Sequence, residues 1–287
     1  RNDNNHFTEV TDSTGIHGSG LNFGLSASIS DINKDGWPDI YVSNDFISND
    51  LLWINNKNGT FTNKIDEFLR HQSYFGMGAD IADYNNDGLQ DIMVLDMMPE
   101  NNQRQKTTMN PPDYNRFQLN DRMGYETQYI RNTLQINNGD NTFSEIGQLA
   151  GVYATDWSWS PLFADFDNDG WRDLFITNGF VKDITDLDYV RYNSEAVQFG
   201  NSEEIRKKLK KEYEKIARVK MPNYIYQNNK DLTFTNQSTK WGLAEPSNSN
   251  GAAYADLDND GDLDMYLLNH SVHQNSNFQP RNYFAGS

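Results

Sequence analysis

An acidic nonapeptide that occurs four times constrains the fold of this chain more than any other feature. Each copy reads D-x-[DN]-x-D-G-x-x-D and is followed by residues that favour β-strands. An internal repeat of this kind predicts several similar structural units rather than one irregular core. The copies are loop 1 (31–39), loop 2 (83–91), loop 3 (165–173) and loop 4 (256–264).

The acidic residues of each loop have the spacing of a metal-binding turn. Three or four carboxylates within nine residues repel one another unless a cation lies among them. Side chains at positions 1, 3 and 5 converge when glycine at position 6 permits a tight turn; position 7 offers its carbonyl, and position 9 completes the shell. Oxygen-only ligation suits Ca²⁺ better than Mg²⁺. We expect about four Ca²⁺ ions, one per loop, held by Asp31, Asn33, Asp35, Trp37, Asp39, Asp83, Asn85, Asp87, Leu89, Asp91, Asp165, Asp167, Asp169, Trp171, Asp173, Asp256, Asp258, Asp260, Asp262 and Asp264.

The residues after the loops exclude two helical calcium motifs. EF-hand and dockerin loops need a ligand at position 12, normally Glu, and a helix that leaves the loop. Position 12 here is Val42, Val94, Ile176 or Leu267, and β-forming residues follow. The loops are therefore expected to connect β-strands.

A second motif, Asn-Asn-x-x-x-Thr-Phe, precedes loops 2, 3 and 4 at a constant distance. Its Phe lies 22 residues before the first loop Asp in each case. Alternating apolar and polar residues flank the Asn/Gly cluster, which predicts a β-hairpin. One unit is thus expected to contain a hairpin, a connection, a strand, an acidic loop and a strand. The predicted units are about 1–50, 51–96, 131–178 and 223–270.

The units are joined by connections of unequal length, which predicts two insertions, at 97–130 and 179–222. The second insertion contains the one convincing helix pattern, at about 200–220, with Asn201 as its N-cap and Glu204 three residues later. We therefore expect a single helical insertion in an otherwise all-β chain. The apolar stripe of this helix is Ile205, Leu209, Tyr213 and Ile216.

Composition and charge exclude several functional classes. The net charge of −17, from 24 Lys+Arg and 41 Asp+Glu, leaves no basic face for nonspecific nucleic-acid binding. No run of 18 apolar residues occurs, so we expect no transmembrane segment. The lack of cysteine excludes disulfides, thiol catalysis and cysteine zinc sites. Because the chain begins at Arg1 without a signal sequence, we expect a processed protein or a fragment.

The chain also lacks the common catalytic motifs, so we expect no enzyme, no catalytic residues and no organic cofactor. It has no G-x-S-x-G, no H-E-x-x-H and no phosphate-binding glycine loop. A hydrolase or lyase centred on Asp156 beside Trp157 and Trp159, or on His270 and His273, is the alternative. A turn cap is the more ordinary role for Asp156, and a loop position for the two histidines. The other carboxylates that no motif explains are Asp96, Glu100, Asp183, Asp186 and Asp188.

The loops, together with Phe23-Gly24 and Phe75-Gly76, resemble the FG-GAP/VCBS repeats of integrin-like β-propellers. Longer strings are similar to bacterial surface propellers related to cartilage acidic protein, and the resemblance covers essentially the whole chain. It implies an all-β fold of four-stranded antiparallel blades around an axis, Ca²⁺ in the loops, and secretion or lipid anchoring at the outer surface. The strings are DMMP (96–99), GQLAGV (147–152), ATDWSWS (154–160) and FADFDNDG (163–170).

The number of loops differs from the family pattern. The family's propellers usually have seven blades, whereas this chain has four loops. Residues 1–287 are therefore expected to form either a fragment of a larger propeller or a closed small one. The string 281–284 resembles the hairpin strand at 223–226, and in a closed ring it would supply the strand that the N-terminal half-hairpin lacks.

The expected function is that of an extracellular or outer-membrane-surface binding or scaffold module for a glycan or protein ligand, with structural calcium. Bacterial proteins of this type often accompany outer-membrane uptake systems, so a purely structural accessory subunit of a transporter complex stays open as well. Any lipid anchor would lie outside this chain.

Overall fold

The computed structural model describes residues 1–18, 20–110, 113–199, 202–216, 218–219 and 221–270, and most of its regular structure is β. In chain order the elements are β1 (Asn2–Asp3), β2 (His6–Phe7), α1 (Thr11–Thr14), β3 (Gly24–Ser30), β4 (Asp39–Asn44), β5 (Leu51–Asn55), β6 (Phe61–Asn63), α2 (Ile65–Phe68), β7 (His71–Ser73), β8 (Ala79–Ala82), β9 (Asp91–Val94), α3 (Asn102–Thr108), α4 (Tyr114–Arg122), β10 (Thr127–Tyr129), β11 (Thr133–Asn137), β12 (Phe143–Glu145), α5 (Gly147–Ala150), β13 (Ser158–Ala164), β14 (Asp173–Asn178), α6 (Leu187–Phe199), α7 (Ser202–Lys215), β15 (Tyr224–Asn228), β16 (Phe234–Asn236), β17 (Ser249–Ala255) and β18 (Asp264–Asn269).

Three four-stranded antiparallel sheets repeat one topology, which confirms the predicted all-β, propeller-like fold. Sheet I is β3-β4-β5-β6, sheet II is β8-β9-β11-β12 and sheet III is β13-β14-β15-β16, while β17 and β18 form a two-stranded sheet IV. The first strands of successive sheets adjoin one another: Ser28 Oγ donates to Ala79 O (3.0 Å), and Phe163 N donates to Asp80 Oδ2 (2.7 Å). The sheets therefore follow one another as blades do around an axis.

The sheets are out of phase with the units read from the sequence. Sheet I joins strands of the unit 1–50 to the hairpin of the unit 51–96, because Val42 of β4 pairs with Leu51 of β5. In sheets II and III, too, the second strand pairs with the hairpin of the next predicted unit, and an insertion separates these two strands in the sequence. The hairpin thus completes the sheet of the loop that precedes it, and not of the loop that follows.

Packing of the sheets face to face buries both sides of the middle sheets. All four residues of β9 are buried, and its side chains alternate between two cores. Ile92 packs in one apolar cluster with Leu52 of sheet I, whereas Met93 packs in another with Leu174 of sheet III. Because successive side chains of a strand point to opposite faces, sheet II is held between its two neighbours.

Helices occur in both insertions, so the prediction of one helical insertion is wrong. The first insertion contains α3 and α4, and the second contains α6 and the predicted helix, α7; Asn201, its predicted N-cap, lies outside the described residues. The sequences of α3 and α4 are too polar to form an apolar stripe, and side-chain caps from Asn101 and Asp113 begin them instead. No helix in the described part of the chain is long and apolar enough to cross a membrane.

A glycine before β8 allows sheets II and III to approach closely. A Cβ atom on Gly78 would lie 2.1 Å from Trp159 O, a contact that no side chain can make. Gly78 O also accepts the Leu95 N–H at 3.0 Å, which fixes the backbone on its other side. The approach of the two sheets at this point therefore requires glycine.

We predict that Gly78→Ala destabilises the protein. The added methyl group forces the backbones of sheets II and III apart, which costs about 1–3 kcal/mol of unfolding free energy or more. Gly18→Ala is the control, because no atom lies within 4 Å of the Cβ it would add. Urea unfolding of both variants gives the measurement, and equal midpoints would show that the contact is unimportant.

A buried aspartate takes the place of an amide in sheet I. In sheets II and III, the Oδ1 atoms of Asn132 and Asn223 accept the backbone N–H at the end of the second strand (2.8 and 2.9 Å). Asp50 Oδ1 makes the same contact with Asn44 N at 2.8 Å, and the Tyr41 hydroxyl also donates to its carboxylate. Burial raises the pKa of Asp50 to about 7. Its proton is therefore bound more tightly in the folded state than in the unfolded chain.

We predict that Asp50→Asn flattens the pH dependence of stability. Because the pKa of Asp50 is raised, its favourable contribution is complete below pH 4 and is lost as the pH rises towards 7. The wild-type protein should lose up to about 1.4 kcal/mol per pH unit in this interval relative to the variant. Urea unfolding of both proteins in calcium-saturated buffer at several pH values measures the difference. Parallel curves would contradict the assignment.

Candidate metal centre

The four acidic loops occupy equivalent places in the four sheets. Each joins the first strand of its sheet to the second, and position 9 is the first residue of the second strand. Since the sheets share one topology, all four loops lie at the same end of the strands. The structure thus collects the acidic residues that the sequence distributes along the chain.

Two left-handed residues give each loop its turn. The glycines at position 6 have φ between 85° and 94°, a conformation that only glycine adopts without strain. Position 4 is also left-handed, with φ between 56° and 61°, and three of its four residues are asparagines, which tolerate this region best after glycine. The tight turn predicted from Gly at position 6 is therefore present in every loop. The position 4 residues are Lys34, Asn86, Asn168 and Asn259.

The carboxylate at position 1 closes the turn in every loop. In loop 1, the Oδ1 atom of Asp31 accepts the Asp35 N–H (3.0 Å), and Oδ2 accepts the Gly36 N–H (2.9 Å). The equivalent pairs of hydrogen bonds in the other loops measure 2.9–3.2 Å. They fold the backbone around the first carboxylate and direct later side chains towards it.

Loops 3 and 4 bring three carboxylates together. In loop 3, oxygens of Asp165, Asp167 and Asp173 lie within 4.8 Å of one another. In loop 4, the converging groups are at positions 1, 3 and 5. Three carboxylates at this distance repel one another strongly without a counter-charge, and an oxygen-only donor set is the one that Ca²⁺ prefers. The residues present therefore fit the predicted ion.

Loops 1 and 2 carry an amide at position 3. The Nδ2 atoms of Asn33 and Asn85 donate to the position 5 carboxylates of Asp35 and Asp87 at 3.1 and 2.9 Å. Each of these amides removes one negative charge from its loop and links two predicted ligands. The first two loops are therefore less charged than the last two. The proposed backbone ligands at position 7 stay predictions.

Two hairpin lysines that sequence reasoning missed lie against the loops. Lys57 Nζ lies 3.3 Å from Asp35 in loop 1, and Lys230 Nζ lies 3.0 Å from Asp169 in loop 3. Both lysines follow the Asn-Asn pair of the hairpin, so their equivalent positions were a signal in the sequence. Only the pairing of the third strand with the second places them next to position 5.

The position 9 aspartate joins the loop to the third strand of its sheet. In loop 2, Asp91 Oδ2 accepts the Tyr84 N–H (3.4 Å) and Oδ1 accepts the Asn137 N–H (3.0 Å). Asp39 and Asp173 make the same pair of contacts in loops 1 and 3. Burial raises the pKa of all three, to about 7 for Asp91 and about 6 for Asp173. A nearby cation would stabilise their ionised forms.

The sequence predicts only a turn at the hairpin asparagines, but the structure gives these residues a second role. Asn137 Nδ2 donates to Ile32 O at position 2 of loop 1 (3.0 Å), which lies in the preceding sheet. Asn228 Nδ2 makes the equivalent contact with Tyr84 O of loop 2 (2.9 Å). These buried amides connect loops 1 and 2 to the next sheet, and no local pattern in the sequence reveals that contact.

Neighbouring loops also contact each other directly. Asn86 Nδ2 at position 4 of loop 2 donates to Gly170 O of loop 3 at 3.0 Å. Asn168 at position 4 of loop 3 donates to Asp262 Oδ1 of loop 4 at 2.6 Å. Loops 2, 3 and 4 are therefore connected in a row, and the conformation of one loop bears on the next.

The alternative catalytic centre at Asp156 is part of an ion-pair network. Arg104 of α3 donates to both oxygens of Asp156 (2.7 and 3.1 Å) and to both oxygens of Asp183 (2.9 and 3.0 Å). Asp156 is buried and has a left-handed φ of 61°. These two carboxylates raise the pKa of the Arg104 guanidinium. The network ties the first insertion to the second.

Some of the other candidate residues lie outside this network. The Asp96 carboxylate is buried and accepts the Ser73 hydroxyl (2.6 Å) and several backbone N–H groups. Asp186 Oδ1 accepts the N–H groups of Asp188 and Tyr189 at the start of α6. His270 is exposed after β18, and His273 and the string 281–284 lie outside the described residues.

A comparison with family models supports the resemblance seen in the sequence. The model of the FG-GAP-like repeat matches residues 31–94, 123–176 and 216–267. These stretches include all four acidic loops and together cover more than half of the 287 residues. A search of curated proteins finds no match.

We predict that Asn137→Ala destabilises the protein by about 1–3 kcal/mol, because it leaves the buried Ile32 carbonyl without its hydrogen bond. Asn138→Ala is the matched control, since the Asn138 side chain is exposed and bonds only within its own hairpin. Its effect should stay within about 0.5 kcal/mol. Thermal unfolding of both variants provides the comparison; equal losses would mean that the contact between sheets contributes nothing.

Proposed function

Because the chain belongs to the FG-GAP-like repeat family, we propose that it is a calcium-stabilised β-propeller that acts as a binding or scaffold module at the cell surface. The convergence of carboxylates in the acidic loops is the observation that carries this proposal. FG-GAP repeats are typical of integrin-like propellers, which are binding modules. The calcium, the location and the ligand are the parts that the proposal adds.

The ion in each loop would be held by the side chains at positions 1, 3, 5 and 9 and by the position 7 carbonyl. When bound, Ca²⁺ would neutralise these carboxylates. The residues of the chain supply the rest: the position 1 carboxylate closes the turn, and the position 9 carboxylate holds the third strand. The metal's role is therefore structural, in that it stabilises the loop and the sheet edge together.

An extracellular location agrees with the chemistry of these loops. Calcium sites of extracellular modules bind with dissociation constants of about 10⁻⁴–10⁻³ M, which suits the millimolar calcium outside cells. A binding role is favoured over hydrolysis because the carboxylates of Asp156, which precedes Trp157, and of Asp183 are both bound by Arg104.

The ligand we propose is a glycan or a protein at the outer surface, with an outer-membrane transporter complex as one setting. A glycan array combined with a reducing-sugar assay separates binding from turnover. A pull-down from native membranes identifies a protein partner. Release of reducing sugar by the purified chain would overturn the non-enzymatic role.

We predict that EDTA lowers the melting temperature by more than about 10 °C. A site with a dissociation constant of ~0.1 mM in ~1 mM Ca²⁺ contributes roughly 1.4 kcal/mol, so four sites contribute about 5–6 kcal/mol. Differential scanning calorimetry with calcium and with EDTA measures the shift. An unchanged melting temperature in EDTA would refute calcium binding.

A pair of variants in loop 4 tests the ligand set. Asp260→Asn changes a member of the carboxylate cluster and should remove about a quarter of the EDTA-sensitive stability. Asp262→Asn makes the same charge change at position 7, whose side chain lies outside the cluster, and retains an oxygen for Asn168. It should leave the EDTA effect unchanged. Equal effects of the two changes would indicate general electrostatics rather than ligation.

A further inference from the structure

A concave pocket lies at the end of the strands that is remote from the acidic loops. Its residues precede the first strands β3, β8 and β13 or follow the second strands β4 and β9. The cavity has a volume of about 290 Å³ and is open to solvent, which suits a small ligand or one chemical group of a larger one. Its walls are the side chains of Phe23, Phe46, Phe75, Met77, Met97 and Trp157.

One carboxylate lies within these apolar walls. Asp45 lines the pocket, and its backbone is held by the Asp45 N–H to Phe23 O bond (2.9 Å) and by a bridge to Phe75. The Oδ1 atom of Asp45 is buried and has no hydrogen-bond partner among the described residues. Burial also raises the pKa of this carboxyl. Buried polar atoms in native proteins are nearly always paired, so this oxygen lacks a partner that the fold itself does not supply.

A second lining residue has an unused donor. Trp157 stacks on Phe180 with ring centroids 4.3 Å apart, and this stacking fixes its indole ring. The Trp157 Nε1 atom is buried and unpaired within the described residues. The walls of the pocket therefore contain two unpaired polar atoms, an acceptor that is negatively charged when ionised and a neutral donor.

The backbone that carries the aromatic wall is strained. Phe46 and Ile47 both have left-handed φ angles, 66° and 70°, and such a conformation is an outlier for bulky or β-branched residues. Phe46 N donates to Tyr74 O (3.1 Å), and the Phe46 ring stacks on Phe75 with centroids 5.9 Å apart. Such strain persists where the surroundings enforce it, and it clusters at functional sites.

The same aromatic cluster already holds one cation. The Arg116 guanidinium lies 4.8 Å from the centroid of the Phe46 ring and 5.7 Å from that of Tyr74. No ion pair joins Arg116 to Asp45 among the described residues, so the Asp45 charge is not neutralised from that side. Arg116 therefore occupies part of the aromatic cluster without neutralising the carboxylate inside the pocket.

We propose that this pocket binds a small organic cation of the methylated-ammonium class. The apolar and aromatic walls suit methyl groups, since quaternary ammonium ions are weakly hydrated and are recognised by aromatic side chains. The Asp45 carboxylate supplies the counter-charge. An inorganic cation would find one carboxylate as the only charged ligand among the lining residues. The inference does not depend on calcium in the loops, which lie at the opposite strand ends.

Two ligands of the same shape test the proposal on the wild-type chain. Choline carries the cation, and 3,3-dimethylbutan-1-ol is its neutral isostere. Titration calorimetry in calcium-saturated buffer should show choline binding at least about tenfold more tightly than the alcohol. Equal affinities would show a merely apolar pocket, and no binding of choline would also overturn the proposal.

A variant and its matched control test whether the charge of the Asp45 carboxylate contributes to choline binding. Asp45→Asn keeps the shape of the side chain and removes its charge, and it should weaken choline binding about tenfold without affecting the alcohol. Glu245→Gln removes one exposed charge outside the pocket and should leave binding unchanged. Unaltered choline affinity in Asp45→Asn would contradict the role of this carboxylate. If that variant does not fold, the two ligands on the wild-type chain decide the matter by themselves.

Discussion

The buried aspartate that ends loops 1, 2 and 3 is the contact on which both the sheets and the candidate metal centre depend. Asp39, Asp91 and Asp173 each bind a backbone N–H of their own loop and one of the third strand. A single carboxylate thus joins the loop, the second strand and the third. Its burial has an electrostatic cost, seen in the raised pKa values, and a cation in the loop would reduce that cost. Metal binding and sheet formation are therefore coupled in the proposed function.

The two ends of the strands have opposite chemistry. At one end the loops gather carboxylates, and contacts such as Asn86 to Gly170 connect one loop to the next. At the other end, aromatic and methionine side chains form a pocket with one unpaired carboxylate, that of Asp45. On the two proposals made above, one scaffold would use its acidic end for stability and leave the other end free to bind a ligand.

Sequence reasoning succeeded where a feature is local. The turn of each loop follows from Gly at position 6, and the strand after it follows from β-forming residues. It failed where a helix has no apolar stripe and where the contacting residues are distant in the chain. Helices α3 and α4 have no apolar stripe, so periodicity missed them, although Asn101 and Asp113 mark their starts. The role of Asn137 was equally hidden, because its amide binds a carbonyl 105 residues away.

The sequence by itself determined the repeat, the class of fold and the predicted ligands, because each of these depends on residues that are close together in the chain. The tertiary structure decided which strands share a sheet, that the loops lie at one end, and that Lys57 and Lys230 lie beside two of them. It also placed Asp45 among aromatic rings, which no motif indicates. Such contacts depend on how the sheets pack against one another, and packing joins residues whose separation in sequence carries no signal.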